Sequence, residues 1–396
     1  MSSQNDISQD RPLLWLMAIA CGLCAGANYY SQPLINSMHS YFQMPESRVA
    51  LTVTFAQVAY ALGLLFIVPL GDIVNKTKFI PLLMACAGIG LLICALSVNL
   101  PMLWLGTAMT GLFSVAAQVL IPFATMSVRP QKIGEVVGLL MSGLLVGILL
   151  STSLSGLLSN LFEWQVIYFV SAILMFILAL ILRYRLPHIA TVKLRYHHIL
   201  ISMVRLLQQE PRLVFRSLVG GCAFAAMSIL FSTIAILLQS AFALPNFMVG
   251  VVTLIGIFGA LSTKFVGKIA DRGYTQRMTW VGVITLALSW LLLYWGQYQL
   301  ISYILGFGMI NLGLAIVHTC NQNIIFRLRV DAKSRINSIY MTAYFSGGAT
   351  GSALGIYAWN HGGWGMSCLV GLALVAGTAI FALIDWRYSR LPPLAS

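Results

Sequence analysis

The chain has 396 residues, of which 59% are hydrophobic and 8% are charged. Soluble domains average roughly 25% charged residues, so this composition excludes a soluble enzyme with a large core and indicates a membrane protein. The net charge of +13 would suggest a nucleic-acid partner in a soluble chain, but here the positions of the basic residues account for it.

Twelve apolar segments follow one another along the chain, and each is long enough to cross a hydrocarbon core of about 30 Å as a helix. They lie near residues 13–36, 49–70, 79–99, 101–127, 133–160, 164–185, 213–240, 246–270, 277–296, 299–326, 334–359 and 363–385. One long polar connection, residues 188–212, separates the sixth segment from the seventh. The pattern predicts an all-α polytopic membrane protein with twelve transmembrane helices in two pseudo-symmetric six-helix bundles, at 1–187 and 213–396, joined by a basic cytoplasmic linker.

The basic residues lie on one side of the predicted membrane. If the N-terminus is cytoplasmic, only Arg48 of the 23 Lys and Arg residues falls on the external side. This is the positive-inside pattern, which predicts that both termini are cytoplasmic. It also explains the net charge as a topology signal combined with attraction to anionic lipid, so we expect membrane lipid and not nucleic acid as a partner.

The two halves of the sequence repeat each other. The second span ends with Asp72 and the eighth with Asp271, an offset of 271 − 72 = 199 residues. The fourth span carries Gln118 and the tenth carries Gln322, an offset of 322 − 118 = 204. Because each copy has an even number of spans, both copies enter the membrane from the same side, as in transporters built from parallel repeats.

The loop after the eighth span, GKIADRGYTQR, resembles a motif of the major facilitator superfamily. The matching residues are Gly267, Asp271, Arg272 and Arg277. A weaker copy of the motif follows the second span, with Gly71, Asp72, Lys76 and Lys78. The segments NYYSQPL at 28–34 and RINSIYM at 335–341 are similar to the bacterial drug-and-sugar efflux branch, the DHA1-like branch, of that family. The resemblance implies a transporter in the bacterial inner membrane that functions as a monomer.

Two positions depart from that efflux branch. Its members often carry an Arg four residues before the glycine that corresponds to Gly111, and this chain has Thr107 there. They also carry a Pro after the glycine that corresponds to Gly147, and this chain has Ile148. Both elements are associated with the antiport members of the branch.

The resemblance implies a role for the two rim carboxylates. Asp72 is expected at the N-terminus of the eleventh helix, near Lys333 and Arg335, and Asp271 at the N-terminus of the fifth, near Arg129 and Lys132. A carboxylate in such a place gains about 0.3–1 kcal/mol from the helix dipole. These contacts would close the cytoplasmic side in the outward-facing state; the alternative is that both groups are solvated loop charges. The expected gate residues are Gly71, Asp72, Lys76, Gly267, Asp271, Arg272, Arg277 and Arg335.

Polar residues form stripes along several predicted spans. At 100° per residue, Asn311, His318 and Gln322 fall within about 40° of one another. Polar groups that face lipid are costly, so the stripes are expected to face a common interior. In the family's fold the first, fourth, seventh and tenth helices line a central cavity, and most of the stripes lie on those spans. The expected substrate-cavity residues are Asn28, Tyr29, Gln32, Gln118, Ser228, Ser232, Gln239, Asn311, His318, Gln322, Tyr340 and Tyr344.

Apart from tyrosines and cysteines, His318 is the only titratable residue that the sequence places deep in a span. It lies nine residues, or about 13 Å, from Arg327, close to the midplane, whereas every Asp and Glu is placed at a rim, a loop or the tail. An imidazole with an ordinary pKa near 6.5 can exchange a proton at physiological pH. Three roles stay open for His318: the coupled proton site, a contact to substrate, and packing between helices.

The sequence contains no G-x-x-x-x-G-K-[ST], H-E-x-x-H or G-x-S-x-G motif, so it indicates neither ATP hydrolysis nor intramembrane proteolysis. We therefore expect a carrier and not an enzyme, with no cofactor and no metal ion. The expected function is secondary active export of a small organic molecule by alternating access, driven by the proton gradient. The alternative is an importer or facilitator of a neutral solute such as a sugar, without proton coupling.

Overall fold

The computed structural model describes residues 6–188, 196–244 and 246–388, and the regular structure within these ranges is entirely helical. The main helices are α1 (Arg11–Gly26), α2 (Ile35–Phe42), α3 (Glu46–Leu62), α4 (Lys76–Ala95), α5 (Leu100–Phe113), α6 (Ala116–Met126), α7 (Ile133–Leu161), α8 (Gln165–Arg185), α9 (Tyr196–Gln209), α10 (Pro211–Phe242), α11 (Asn246–Leu254), α12 (Gly256–Ile269), α13 (Thr275–Trp295), α14 (Leu300–Ile325) and α15 (Lys333–Tyr388). Short π or 3-10 turns extend α3 to Asp72 and α12 to Tyr274.

Nine helical segments within the described residues are long and apolar enough to cross a membrane. Two of them exceed a single crossing, since Val251–Trp295 has 45 residues and Val330–Tyr388 has 59. The longer one is interrupted at Gly362 and Gly363. Gly363 has φ 61° and ψ −153°, which in practice only glycine adopts. α1 is apolar but has only 16 residues.

The first predicted span is not one helix, as the sequence led us to expect for residues 13–36. α1 ends at Gly26, and α2 begins only at Ile35. The intervening residues form tight turns, in which the N–H of Tyr29 donates to the carbonyl of Gly26 at 2.9 Å. Pro33 contributes to the break because it lacks an N–H and disfavours a helical conformation at the residue before it.

The predicted polar linker, 188–212, contains a helix that the sequence interpretation missed. Residues 189–195 lie outside the described part of the chain, but α9 follows directly. Ile199, Met203 and Leu206 are buried, and their spacing of four and three places them on one helical face. The basic residues of this segment suggested a loop, although its apolar spacing is typical of a short amphipathic helix.

The chain divides into two compact units. The first consists of Met1–Pro130, Leu139–Leu200 and Asp331–Ser338, and the second of Gln131–Gly138, Ile201–Val330 and Ile339–Ser396. Three helices are therefore divided between the units: α7 begins in the second unit and continues in the first, whereas α9 and α15 begin in the first and continue in the second. The two rim carboxylates contact the starts of α7 and α15.

Small residues allow close helix packing inside each unit. In the first unit, a Cβ atom on Gly147 would collide with the backbone of Gly22, so α7 and α1 are in backbone contact. In the second unit, a Cβ atom on Gly351 would collide with the backbone of Ala225, so α15 and α10 are in the same kind of contact. The offset between the two glycines is again 351 − 147 = 204, so the sequence repeat extends to the packing.

Candidate functional site

A run of polar side chains near the end of α14 is fully enclosed. His318 is 6% exposed, Asn321 and Gln322 are 0% exposed, and Asn323 is 1% exposed. All four belong to the second unit. Burying polar groups is costly unless they are hydrogen-bonded, so the partners of these side chains define what the run does.

His318 lies in an aromatic cluster with residues of α15. Its Nδ1 atom is 2.9 Å from the hydroxyl oxygen of Tyr340. Its ring centroid is 4.6 Å from that of Tyr344, which stacks on Phe224 of α10 at 4.2 Å and an interplanar angle of 10°. Three sequence-predicted cavity residues, His318, Tyr340 and Tyr344, are therefore in contact within the second unit.

Asn321 contacts a buried arginine, Arg216 of α10, which the sequence interpretation did not single out. The side-chain oxygen Oδ1 of Asn321 accepts from Nη1 of Arg216 at 3.1 Å, and its Nδ2 donates to the hydroxyl of Tyr340 at 3.4 Å. The same Nη1 also donates to Thr279, and Nη2 donates to Gln276 at 2.6 Å. With the bonds to Asp385 described next, all five N–H donors of the guanidinium have acceptors.

Arg216 and Asp385 form an ion pair in which both side chains are 0% exposed. Oδ2 of Asp385 accepts from Nη2 of Arg216 at 2.6 Å and from Nε at 2.9 Å, while Arg212 approaches Oδ1 at 3.1 Å. We expected Asp385 at the membrane rim because it stands at the end of a predicted span. The structure adds that this position is enclosed, because residues of α10, α13, α14 and α15 surround the pair. Arg216 lies inside an apolar segment, and a charge in such a place signals a buried partner.

Asn323, in contrast, binds the gate carboxylate Asp271. Its Nδ2 donates to Oδ1 of Asp271 at 3.0 Å, and Arg327 donates to the same oxygen at 2.6 Å. The backbone N–H groups of Gly134 and Glu135, in the first turn of α7, donate to Oδ1 and Oδ2 at 2.8 Å each. The carboxylate therefore occupies the N-terminus of α7, where the helix dipole favours negative charge.

Asp72 makes the corresponding contact in the first unit and is 3% exposed. The backbone N–H of Ser334 donates to Oδ1 at 2.9 Å, and that of Arg335 donates to Oδ2 at 3.2 Å. The guanidinium Nε of Arg335 adds a bond to Oδ2 at 2.9 Å. Lys333, the residue before Ser334, donates to the carbonyl of Thr125 at 2.8 Å.

The glycines before the two carboxylates pack against the same helix starts. A Cβ atom on Gly71 would lie 2.8 Å from the hydroxyl oxygen of Ser334, and one on Gly267 would collide with the carbonyl of Gly134. Either substitution would push the carboxylate loop away from the helix start that it binds.

The basic residues of the predicted gate are placed differently from one another. Lys76 is 2% exposed, and its Nζ has no hydrogen-bond partner within the described ranges. Arg272 is exposed, and Arg277 is exposed over the ring of Tyr274 at 5.4 Å. Neither of these arginines is recorded as a partner of Asp271.

Arg129 and Lys132, which we expected near Asp271, have other partners. Lys132 pairs with Glu135 at 2.9 Å, and Arg129 pairs with Asp6 at 2.9 Å. Burial raises the pKa of Asp6, but hydrogen bonds from Ser8 and the charge of Arg129 outweigh this and hold that pKa below its ordinary value. Asp271 nevertheless lies at the expected helix start, where the backbone N–H groups of Gly134 and Glu135 supply the contact.

A second polar cluster lies in the first unit, beside the break between α1 and α2. Nδ2 of Asn28 donates to the hydroxyl of Ser114 at 2.7 Å, and its Oδ1 is buried without a partner in the described part of the chain. Tyr29, the next residue, is half-buried. The break therefore places polar side chains against the point where α5 gives way to α6.

Gln118 of α6 is 1% exposed and also belongs to the first unit. Its Nε2 donates to the hydroxyl of Tyr60 at 3.2 Å, and its carbonyl and Oε1 accept from Nδ2 of Asn337 at 2.8 and 3.2 Å. Its repeat counterpart, Gln322, approaches only the sulfur of Met341, at 4.0 Å, and its Oε1 has no partner among the described residues.

Three other predicted cavity residues make local or interhelical contacts. On α10, Ser228 is buried, and Ser232 donates to the carbonyl of Ile229 at 2.9 Å. On α14, Asn311 donates to the carbonyl of Phe307 at 2.8 Å and lies against Gly259 of α12. The last two predicted residues, Gln32 and Gln239, are exposed. A Cβ atom on Gly348 would meet both Phe224 and the hydroxyl oxygen of Ser228, so Ser228 lies close to the aromatic cluster.

The comparisons with known proteins identify the family. The family model of the Major Facilitator Superfamily matches residues 17–352, so the chain belongs to that superfamily. It is a membrane-embedded, multi-pass transporter of small molecules, and no catalytic family is indicated. It is 40% identical over 377 residues to the uncharacterized transporter YgaY of Escherichia coli, in strains K12 and O157:H7, which covers 95% of both chains.

Two solved structures have a similar fold. The human organic anion transporter MFSD10 (TETRAN) has a TM-score of 0.75 at 13% identity, covering 95% of this chain and 99% of that one. The proton:xylose symporter XylE, bound to 6-bromo-6-deoxy-D-glucose, has a TM-score of 0.74 at 12% identity, covering 95% of both chains. At these identities the similarity shows the fold alone.

Proposed function

We propose that this transporter is a secondary active exporter of a small organic molecule, driven by the proton gradient, with His318 as the proton site. The observation that carries the proposal is the environment of His318. His318 lies 18 residues after the start of the 26-residue α14 and is only 6% exposed. Its imidazole bonds to the hydroxyl of Tyr340 inside the aromatic cluster. An ionisable group buried in a membrane span is costly, which favours a functional role.

We further propose that the substrate is uncharged or weakly cationic. The three deeply buried carboxylates of the described residues, Asp72, Asp271 and Asp385, each have an arginine partner within 3 Å. A strongly cationic substrate would have to compete with those arginines for its counter-charge. The aromatic faces of Tyr344 and Phe224 instead suit an apolar or planar molecule.

The second candidate is an importer or facilitator of a neutral solute such as a sugar. The first-unit cluster favours it, because Asn28, Ser114 and Gln118 offer amide and hydroxyl groups, the usual partners of sugar hydroxyls. Oδ1 of Asn28 is a buried acceptor without a partner in the described part of the chain, and a substrate hydroxyl would satisfy it. In this version His318 contacts the substrate and carries no coupled proton.

We propose a topology of twelve spans in two six-helix bundles. Nine described segments qualify as spans by length and apolarity, and a helix needs about 20 residues to cross the core. The segments of 45 and 59 residues each have room for two crossings, which adds two. α1 with its continuation into α2 supplies the last, so 9 + 2 + 1 = 12. The one-sided distribution of Lys and Arg supports cytoplasmic termini in a bacterial inner membrane, and the chain functions as a monomer in this proposal.

We propose that the contacts of Asp72 and Asp271 are a cytoplasmic gate that opens during alternating access. The support is that each carboxylate binds the start of a helix encoded in the other half of the sequence, and that the two contacts are related by the repeat. The twelve cavity residues predicted from the sequence remain our proposal for the substrate path, as does membership of the drug-and-sugar efflux branch.

The test of the function is transport by purified protein in proteoliposomes, with and without an imposed pH gradient. The panel of probes should contain neutral sugars, uncharged drugs and weakly basic drugs. The proposal expects at least one drug to accumulate only with the gradient, and expects His318→Gln to abolish that accumulation. Gradient-independent equilibration of a sugar, unchanged in His318→Gln, would instead support the second candidate.

A further inference from the structure

A continuous line of hydrogen bonds connects the buried ion pair of the second unit to His318. Nη2 of Arg216 donates to Oδ2 of Asp385 at 2.6 Å, and Nη1 of Arg216 donates to Oδ1 of Asn321 at 3.1 Å. Nδ2 of Asn321 reaches the hydroxyl of Tyr340 at 3.4 Å, and that hydroxyl is 2.9 Å from Nδ1 of His318. Tyr340 and Asn321 are both 0% exposed, so water does not compete for these bonds.

The chemistry of the arginine fixes the direction of the bonds from Arg216 through Asn321 to Tyr340. A guanidinium only donates, so Asn321 must present its oxygen to Arg216 and its NH₂ group to Tyr340. The oxygen of Tyr340 then accepts from Asn321, and its own O–H remains to be donated. Nδ1 of His318, at 2.9 Å, is the acceptor within reach of this O–H, and a bond in that direction leaves the imidazole proton on Nε2.

We propose that Arg216, Asn321 and Tyr340 are positioning residues that hold His318 as the neutral Nε2–H tautomer. Arg216 acts through its neighbours. Held in place by Asp385, it sets the orientation of the Asn321 amide, and that amide sets the orientation of the Tyr340 hydroxyl. The inference rests on the proposed role of His318 for its functional meaning, but the tautomer itself does not depend on that role.

The tautomer determines where a coupled proton is taken up. Nε2 already carries a proton, so an incoming proton must bind at Nδ1, and the imidazolium then donates from both nitrogens. Tyr340 can keep the contact only as an acceptor, with its O–H turned away from His318. Protonation therefore reverses or breaks the bond between α14 and α15 that the line of side chains maintains.

Two further ionisable groups, Tyr344 and Cys320, lie near His318 in the described part of the chain. Tyr344 of α15 contacts the imidazole through its ring, at 4.6 Å between centroids. Cys320 is buried on α14 itself. On the line from α10, Arg216 is separated from His318 by Asn321 and Tyr340, and its partner Asp385 lies beyond it.

The test is the tautomer of His318 in purified, full-length protein labelled with ¹⁵N-histidine. Ring-nitrogen chemical shifts report which nitrogen carries the proton, and the signal of His318 is assigned as the one lost in His318→Gln. The wild type should show the Nε2–H form. Tyr340→Phe removes the donor to Nδ1 and should change the tautomer ratio by about fivefold, since a hydrogen bond contributes about 1 kcal/mol.

A second variant should invert the tautomer. In Asn321→Asp the new carboxylate can only accept, so Tyr340 donates to it and its oxygen becomes free to accept from His318. His318 should then shift to the Nδ1–H form. Removing the anchor with the double variant Arg216→Met and Asp385→Leu should leave a mixture, because the amide of Asn321 is then free to flip.

Tyr303→Phe is the matched control. It removes another fully buried tyrosine hydroxyl, on α14 itself but fifteen positions before His318, and should leave the tautomer unchanged. A wild-type Nδ1–H form, or an unchanged Nε2–H form in both Tyr340→Phe and Asn321→Asp, would overturn the proposal. A further outcome is that the tautomer responds as expected while His318→Gln retains gradient-driven transport. In that case Arg216, Asn321 and Tyr340 do position His318, but His318 is not the site of proton coupling.

Discussion

Arg335 binds the carboxylate of Asp72 twice, through its backbone N–H at 3.2 Å and through its guanidinium Nε at 2.9 Å, both on Oδ2. A helix start and the side chain of the same residue thus share one carboxylate oxygen. The pair is almost dry, with 5% of the Arg335 side chain and 2% of the Asp72 side chain exposed. Solvent screening is weak at such a site, so this contact is a candidate for control of the conformational equilibrium.

Asp72→Asn should impair transport without preventing membrane insertion. The asparagine has one acceptor oxygen and must turn its NH₂ group toward the N–H of either Ser334 or Arg335. Losing a charge-assisted bond of about 1.5–3 kcal/mol should favour the open form of the proposed gate. The measurement is initial transport rate per unit of protein in the membrane.

The matched control for Asp72 is Asp331→Asn. Asp331 approaches the same arginine at 3.6 Å, but 58% of its side chain is exposed. Exposed ion pairs contribute about 0–1 kcal/mol, so this variant should transport normally. Equal transport rates for Asp72→Asn, Asp331→Asn and the unmodified protein would show that the Asp72 contact is not a gate.

Asp271→Asn should have the same effect as Asp72→Asn. The carboxylate accepts from the backbone of Gly134 and Glu135 and from Asn323 and Arg327, and an amide cannot accept on both sides. If the two carboxylates form one gate, the double variant should transport no more slowly than the slower single variant, because the gate is already open. If the double variant instead loses transport rate by the product of the two single losses, the two contacts act independently and do not form one gate.

The ion pair between Arg216 and Asp385 should dominate stability measurements on this protein. Asp385→Ala leaves a buried guanidinium without its counter-charge, which costs about 3–5 kcal/mol and should lower the Tm in detergent. The double variant Arg216→Met with Asp385→Leu should recover much of that loss, since apolar replacements of a buried pair are often neutral. The melting temperatures of the two variants test this directly.

The first unit supplies the control for the buried pair. Arg185 and Asp10 pair at 3.3 Å with 48% and 38% of their side chains exposed. Arg185→Ala should therefore change stability by no more than about 1 kcal/mol. A melting temperature of Asp385→Ala that is as high as that of Arg185→Ala would mean that the buried pair is less isolated from water than the structure indicates.

The contact between α1 and α7 should be sensitive to a single methyl group. A Cβ atom on Gly147 would collide with Gly22, so Gly147→Ala should destabilise the first unit by about 1–3 kcal/mol through overpacking. Gly156→Ala, on the same helix, is the control because its Cβ would meet only Pro33, at 3.9 Å. If Gly147→Ala and Gly156→Ala have the same melting temperature, close packing at Gly147 does not contribute to stability.

Cysteine accessibility should separate the exposed and buried members of the predicted cavity. In a background without the seven native cysteines, Gln32→Cys and Gln239→Cys should react rapidly with a small polar thiol reagent, since both positions are exposed. Asn28→Cys, Gln118→Cys and Gln322→Cys are buried and should react only as the protein cycles, with protection by substrate. Complete inertness of the buried three would show that their amides only join helices.

The sequence predicted those features that depend on local pattern and repetition. The apolar spans and the paired carboxylates Asp72 and Asp271 can be found from spacing alone. The contact of Asp72 with the start of α15 could also be anticipated, because the repeat and the family resemblance place Asp72 near Arg335.

Features that depend on the packing of distant segments could not be found in this way. Arg216 and Asp385 are 169 residues apart and stand near the ends of their helices, where a charge ordinarily reaches the headgroups. Asn311 shares a stripe with His318 but packs on Gly259, because a stripe fixes a direction and not a neighbour. The break after Gly26 had a signal in Pro33, but one proline does not distinguish a kinked span from an interrupted one.

The most direct test of the account is to compare two transport modes in His318→Gln. The substrate is any member of the panel that the unmodified protein accumulates with a pH gradient. Glutamine can still hydrogen-bond but cannot titrate, so the account predicts that binding and downhill counterflow survive while accumulation and substrate-induced proton release are lost. A His318→Gln protein that still releases a proton on binding substrate and accumulates it against a gradient would contradict the account.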